Sequence, residues 1–296
     1  MTYNRKELLS QNIEMLLKQT MTVDSIIIVD NCSSDGTYEY LKNCGWTTEP
    51  FLYLKTETNI GGAGGFYTGV KAAYEAGADW IVLMDDDGRM ADEHTMEILY
   101  RAARKLYDEN RGERKLFVNA LVQKGELLSF KIDHMYTVVE AMMAAKNGLI
   151  EGAANPFNGT MISRELVSEI GYPNKDFFIK GDEVDFKQRA LDVGAYVVTV
   201  VEARYIHPMP KTQERKVLGI RVPFLVEDPW KEYYAARNFT YMYKKKGLYK
   251  AIVFELIFVK ILAVFSMQCR KIETIKMVLK GVCDGWKEKL GPTVTP

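Results

Sequence analysis

Three carboxylates in a row, Asp85, Asp86 and Asp87, stand between an apolar run, Trp80-Ile81-Val82-Leu83-Met84, and Gly88. A short continuous apolar run of this kind reads as a fully buried strand of a parallel sheet. Buried carboxylates are costly unless something positive lies among them. Acids at the C-terminal end of such a strand therefore predict a cation site, and oxygen-rich donors suit Mg2+ or Mn2+. A solvated acidic turn, or an N-cap cluster for the next helix, is the alternative that needs no ligand. A second acidic group, Asp182-Glu183-Val184-Asp185, follows Phe177-Phe178-Ile179-Lys180-Gly181. Acids there suit the positive end of a helix. A glycine-rich stretch, Asn59-Ile60-Gly61-Gly62-Ala63-Gly64-Gly65-Phe66, offers close backbone approach to a diphosphate, or a tight turn. Its spacing is not the dinucleotide fingerprint, which argues against a dehydrogenase.

The elements that must position these groups alternate. A helix over residues 5–19 carries Leu8, Leu9, Ile13, Leu16 and Leu17 at helical spacing, with Asn4 and Glu7 as its capping box. A strand over 25–30 ends on Asp30, and a helix over 38–43 leads to a strand over 51–54. The glycine-rich stretch opens a helix to about residue 76, and the Trp80 strand follows. This pace of βαβ units predicts an α/β fold with a doubly wound, mostly parallel sheet. Ligands in such sheets bind at the C-terminal ends of the strands, where Asp30, the glycines and residues 85–87 all emerge.

Beyond the acids the patterning predicts a charged surface helix over 92–109, strands over 116–122 and 157–162, and a helix from Arg164. Residues 125–154 are not placed, apart from a helix over 138–145. A helix over 182–193 and a strand over 196–201 lead to His207. Residues 208–223 read as a mobile loop, and helices over 230–245, 248–268 and 271–290 complete the chain. The domain reading is 1–207, a linker at 208–228, and a helical arm at 229–296.

With 296 residues, 47% apolar and 26% charged, the composition is globular rather than disordered. A formal net charge of zero gives no overall field that would select nucleic acid. The charge is uneven, however: residues 231–290 hold 13 Lys and Arg against 5 Asp and Glu. Those basic helices either lie on an anionic membrane surface or form a packed subdomain or oligomer interface. Four cysteines without C-x-x-C or zinc spacing read as reduced thiols. No uncharged apolar run approaches the roughly 18 residues of a spanning helix. The expected location is cytoplasmic, with peripheral contact on the inner face of the membrane through residues 230–290.

Two families share some of these residues. Residues 82–88 resemble the first motif of haloacid-dehalogenase-type phosphatases, in which Asp85 would be the nucleophile. Arg89 departs from that pattern, and two strand-helix units precede the motif. Thr2-Tyr3-Asn4-Arg5, residues 29–37, Asn59-Ile60-Gly61-Gly62 and the triple aspartate occur in the order seen in family 2 glycosyltransferases. Residues 178–185 with Arg189-Ala190, and Tyr233-Tyr234 with Arg237-Asn238, extend that resemblance over nearly the whole chain. The glycines together with the triple aspartate are most similar to the bacterial galactofuranosyltransferase and rhamnosyltransferase branch.

This second resemblance implies a GT-A fold, a nucleotide-sugar donor (UDP-galactofuranose or dTDP-rhamnose) and a glycan or lipid-linked glycan acceptor. Thr2, Tyr3, Arg5 and Asp30 would hold the base and ribose, with Asn59, Gly61 and Gly62 beside the donor. Asp85 and Asp87 would ligate Mn2+ or Mg2+ with His207, while Asp86 would face the ribose or sugar. Glu183 would be the general base of an inverting transfer, with Asp182 in reserve because relatives carry the opposite order. Helix capping remains the other role for both acids, and a loop position the other role for His207. A degenerate, non-catalytic glycan-binding protein is a further alternative. Family members also carry an apolar strand just ahead of the Thr-Tyr-Asn. The expectation is a chain that is less stable and less active than one extended upstream, because the neighbours of that strand would have unpaired backbone groups.

Overall fold

The structure, a computed structural model, describes residues 1–109, 115–210, 212–217, 220–225, 227–252 and 271–294. In chain order the first half runs α1 (Lys6–Leu17), β1 (Ile26–Asp30), α2 (Thr37–Asn43), β2 (Phe51–Lys55), α3 (Gly61–Glu75), β3 (Trp80–Met84), β4 (Arg89–Met90) and α4 (Thr95–Glu109). There follow β5 (Leu116–Lys124), β6 (Leu127–Ile132), β7 (Met135–Thr137), α5 (Val138–Ala144), β8 (Leu149–Glu151), β9 (Asn158–Ser163), α6 (Arg164–Ile170), α7 (Asp182–Asp192) and β10 (Tyr196–Ile206). Then come β11 (Thr212–Val217), β12 (Ile220–Leu225), α8 (Pro229–Lys245) and a helix over Lys271–Trp286.

Strand β5 shows how burial selects sequence: its first seven residues are buried, and all are apolar except Asn119. That exception is satisfied, since the Asn119 amide donates to carbonyls of Ala120 and Asn158 and its oxygen accepts from Asn155 N. β5 runs parallel to β10 and antiparallel to β9, which in turn runs antiparallel to β3. β1 and β2 form a separate parallel pair. Helix α4 covers the large sheet with Met96, Leu99, Ala103 and Leu106, a 3–4 spacing that leaves its charged residues outside.

Several local expectations change. Asn4 and Glu7 make no capping box: α1 begins after Arg5 without a side-chain cap, and Asn4 turns its oxygen to Ser34 N instead. A capping box does form at Thr137 and Glu140, starting α5 where the patterning expects a helix. α3 starts at Gly61, so most of the glycines are helical rather than loop residues. Residues 208–223, expected as a mobile loop, contain the antiparallel pair β11 and β12. Most of the helix expected over 248–268 lies outside the described residues.

The chain divides into two compact units. The first comprises Met1–Ile60, Gly65–Pro173 and Phe186–Met209 and contains β1 to β10. The second comprises Gly61–Gly64, Asn174–Asp185 and Pro210–Pro296. Within the first, β1 pairs only with β2 and β3 only with β9 among the described strands. An apolar cleft of about 570 Å³ lies along β1 and β3, with Met1 at one end. Among the described residues no helix is long and apolar enough to cross a membrane.

Candidate functional site

In the first unit the turn after β3 gathers the three aspartates into different surroundings. Asp86 is the most enclosed at 3% exposure. Its Oδ2 accepts from the Thr2 hydroxyl at 2.8 Å and its Oδ1 from Arg5 Nη1 at 3.1 Å. Burial raises its carboxyl above the usual range, although the Arg5 charge opposes this. Asp85 is pushed up to about 6, by burial first and by the charge of Asp86 second. The Asn12 amide donates to the Asp85 carbonyl at 2.8 Å, tying α1 to the turn. Asp87 goes the other way: burial would raise it, but His207 and Arg5 hold it below the ordinary carboxylate range.

Asp87 and His207 make the pair with the most chemical content. His207 Nδ1 lies 2.7 Å from the Pro208 carbonyl oxygen, which can only accept, so Nδ1 carries a proton. In the neutral ring Nε2 is then a bare lone pair, 3.3 Å from Asp87 Oδ1. That oxygen is buried and, His207 apart, has no polar partner among the described residues. Lone pair facing lone pair is relieved by a proton or by a cation. The imidazole is accordingly raised: burial lowers it, but the Asp87 charge prevails. A metal-bound histidine commonly donates its other N–H to a carbonyl, as His207 does to Pro208. Among the described residues no group of three or more His, Cys, Asp or Glu side chains forms a cage. Mg2+-type sites at diphosphates need only one or two carboxylates, because the phosphates and water supply the rest. The donors present fit such a cation.

The glycine after the acids has a packing reason. A Cβ on Gly88 would sit 2.3 Å from Cε1 of Tyr205, whose ring is fully buried beneath the turn. The Tyr205 hydroxyl has no hydrogen-bond partner among the described residues.

Other expected donor residues fall into place unevenly. Thr2 and Asp30 are both at 0% exposure, so neither presents surface to a base or ribose. Asp30 is spent inside the fold, its Oδ1 accepting from Ser33 N and its Oδ2 from the Tyr53 hydroxyl. Tyr3 and Arg5 remain exposed. Asn59 accepts from the Asn31 amide, and Asn31 Oδ1 accepts from Ile60 N at 2.8 Å, which fixes the approach to α3.

The second unit holds the other acids. Gly61 adopts φ +74°, and a Cβ there would lie 1.9 Å from the Phe178 carbonyl oxygen. That glycine is required by backbone contact, whatever Gly62 does nearby. Asp182 is buried, and Glu183 folds back so that Oε2 accepts from Gly181 N at 3.0 Å. The backbone leading to them is unusual, with Phe178, Lys180 and Gly181 at φ 65°, 69° and 86°. Such conformations persist only when the surroundings hold them.

The Glycosyl transferase family 2 model matches residues 1–112. Galactofuranosyltransferase GlfT1 of Mycolicibacterium smegmatis is 30% identical over 259 residues, covering 85% of this chain and 83% of the relative. The chain belongs to glycosyltransferase family 2. The dTDP-rhamnosyl transferase RfbF of Shigella flexneri is 24% identical, covering 73% of this chain and 72% of the relative. Among solved structures, the Pyrobaculum calidifontis mannosyltransferase PcManGT, in complex with GDP-Man and Mn2+, superposes with a TM-score of 0.52. It is 13% identical, and the match covers 97% of this chain and 73% of that one. The fold is the α/β GT-A type expected from the motifs, and the phosphatase reading of Asp85 falls away.

In this glycosyltransferase, α8 clamps the segment ahead of Asp182. Asn238 Nδ2 donates to the carbonyls of Phe177, Ile179 and Lys180 at 3.0, 3.0 and 2.7 Å. Arg237, fully buried, donates to the carbonyls of Asp176 and Phe177 at 3.2 and 2.9 Å and orients Asn238 through Nε. The motif Arg237-Asn238 was visible in sequence, but not this role. Asn12, Asn31 and Tyr205 were missed, since each lies far along the chain from what it positions. For Asn238→Ala the loss of three buried contacts costs about 2–3 kcal/mol. Thermal melting should then fall by about 5–10 °C, and transfer should fall with it because the acids lose their support.

Proposed function

We propose that the chain transfers galactofuranose from UDP-galactofuranose to a hydroxyl of a bacterial cell-surface glycan, free or lipid-linked, with inversion at the anomeric carbon. The observation that carries the sugar assignment is the 30% identity to GlfT1 across most of both chains. Rhamnose from dTDP-rhamnose is the second choice, on the weaker similarity to RfbF. Asp85, Asp87 and His207 would hold Mn2+ or Mg2+, which when bound neutralises charge developing on the departing nucleoside diphosphate. Arg5, free on one side of its contacts to Asp86 and Asp87, adds positive charge for the same phosphates. Tyr3 offers an exposed aromatic face for the base. Glu183 takes the acceptor proton as its oxygen attacks the anomeric carbon, with Asp182 as the alternative base. The basic residues among 230–290 bring the enzyme to the cytoplasmic membrane face, where a lipid-linked acceptor is reached.

Incubation with each donor, Mn2+ and a galactan-type acceptor decides the matter. UDP should appear together with an extended glycan, and chelation should stop both. Release of dTDP in preference to UDP would move the assignment to rhamnose. Release from neither donor would sink the transferase reading of the site.

A further inference from the structure

We propose that Tyr234 is a positioning residue for transfer: through Phe178 it sets the backbone that presents Asp182 and Glu183, and residues 291–294 fasten it in place. The role rests on Glu183 as the base proposed above, and every residue it uses lies in the second unit.

The segment ahead of the acids cannot hold itself. Phe178, Lys180 and Gly181 stand at φ 65°, 69° and 86°, a left-handed backbone that phenylalanine and lysine keep only under outside constraint. Phe178 is constrained at both its ends. Its carbonyl accepts from Ala63 N at 3.1 Å. Its ring lies against Tyr234, with centroids 5.0 Å apart and planes tilted by 35°. Lys180 pairs with Glu227. Gly181 N then donates to Glu183 Oε2, so the seat of the Phe178 ring is passed along three peptide units to the carboxylate.

Tyr234 is fixed in turn. It is fully buried, and a phenol offers one donor and two acceptor sites. All three are spent on one short stretch: the hydroxyl donates to Val294 O at 2.8 Å and accepts from Thr293 N and Val294 N at 3.0 and 3.1 Å. The Arg237 guanidinium lies over the same ring, 4.7 Å from its centroid. Arg237 Nη1 donates to Gly291 O at 2.5 Å and to Thr293 Oγ1 at 3.2 Å. Gly291 N donates to Asp176 O at 2.7 Å, a carbonyl that also accepts from Arg237 Nη2. Residues 291–294 therefore grip the segment directly at Asp176 and, through Tyr234, at Phe178. Phenylalanine would serve the ring contact alone, so the hydroxyl is what enlists residues 293 and 294.

Tyr234→Phe keeps the ring and removes all three of these bonds. Hydrogen exchange should quicken by about tenfold at the Gly181 and Asp185 amides, which close the turn into α7. Exchange at Val118, buried in β5, should stay the same. Transfer should slow by about ten- to a hundredfold, the scale of a small misplacement of a reacting group. Introduced into Glu183→Gln, the same substitution should change the remaining rate by less than about twofold, because an effect acting through Glu183 has nothing left to position. Val294→Pro removes one donor without touching the aromatic pair, and should give the same pattern at smaller amplitude. Unchanged exchange at Gly181 and Asp185 in both variants overturns the proposal. So does an undiminished loss of rate in the Glu183→Gln background, which is what general loosening gives. If Tyr234→Phe quickens Val118 as well, that variant has lost its fold, and Val294→Pro decides by the same two readouts. If Glu183→Gln itself transfers normally, the base assignment is what falls; Asp182→Asn takes its place in the cycle, and exchange still judges the hold of Tyr234 on the segment.

Discussion

Asp87→Asn lowers sugar transfer by about a thousandfold, the scale of losing one main charge-stabilising group, and leaves melting nearly unchanged. Asp87 is the aspartate whose buried Oδ1 has no partner among the described residues other than His207 Nε2, at 3.3 Å. Removing its charge costs the fold little, because its contact to Arg5 lies at the exposed edge of the turn. It costs the site its strongest anionic donor. Mn2+ titration in the presence of UDP should show affinity falling in parallel with rate. Asp86→Asn provides the contrast. Its carboxylate is held by Thr2 and Arg5 in a buried position, so an amide there mismatches one donor and costs about 1–2 kcal/mol of stability. That variant should lose melting temperature before it loses metal. Acid should act on the third member. Asp85 is pushed up to about 6 because burial and the charge of Asp86 disfavour its ionised form. A cation must displace that proton and the one on the raised His207 imidazole, so apparent Mn2+ affinity should already fall as the pH drops through the histidine's range and fall by more than tenfold per pH unit below about 6. Affinity independent of pH between 7 and 5 would remove Asp85 from the donor set.

The second large effect is at Glu183. Glu183→Gln keeps an oxygen to accept from Gly181 N, the 3.0 Å contact that starts α7, so the helix should survive. Gln cannot take a proton, and loss of a general base costs on the order of 10²–10⁴ in rate. Asp182→Asn is the control: if it abolishes transfer and Glu183→Gln does not, the roles are exchanged. If both variants turn over normally, the two acids only cap the helix, where carboxylates are favoured in any case.

Much of this enzyme was legible along the chain because the signals are local. The Trp80 run, Asp30 at the end of β1 and the helix that opens with the second acidic group each follow from a few adjacent residues and form where patterning puts them. The Trp80 strand is, however, alternately rather than fully buried and pairs antiparallel with β9. Motif order carried the family. Apart from the helix over 138–145, which forms as Val138–Ala144, residues 125–154 were not legible, because their elements are short. At Asn4 a plausible box lost to a tertiary partner, Ser34 N. Glycines misled in a similar way: Gly61 and Gly88 read as ligand-approach residues or as part of a phosphatase-like motif, yet each makes room for a residue more than a hundred positions away.

The triple aspartate marks the division most clearly. Sequence alone determined that three acids end an apolar strand, and it predicted a cation near them, since periodicity and charge are properties of neighbours. The motif already set Asp86 apart from the Asp85 and Asp87 pair, but only the tertiary structure supplied their different surroundings. Asp86 is closed off by Thr2 and Arg5, Asp85 is pushed up to about 6 by burial, and Asp87 meets a histidine from β10's far end. Burial and the distance to distant charges set those differences, and neither quantity exists until the strands have come together.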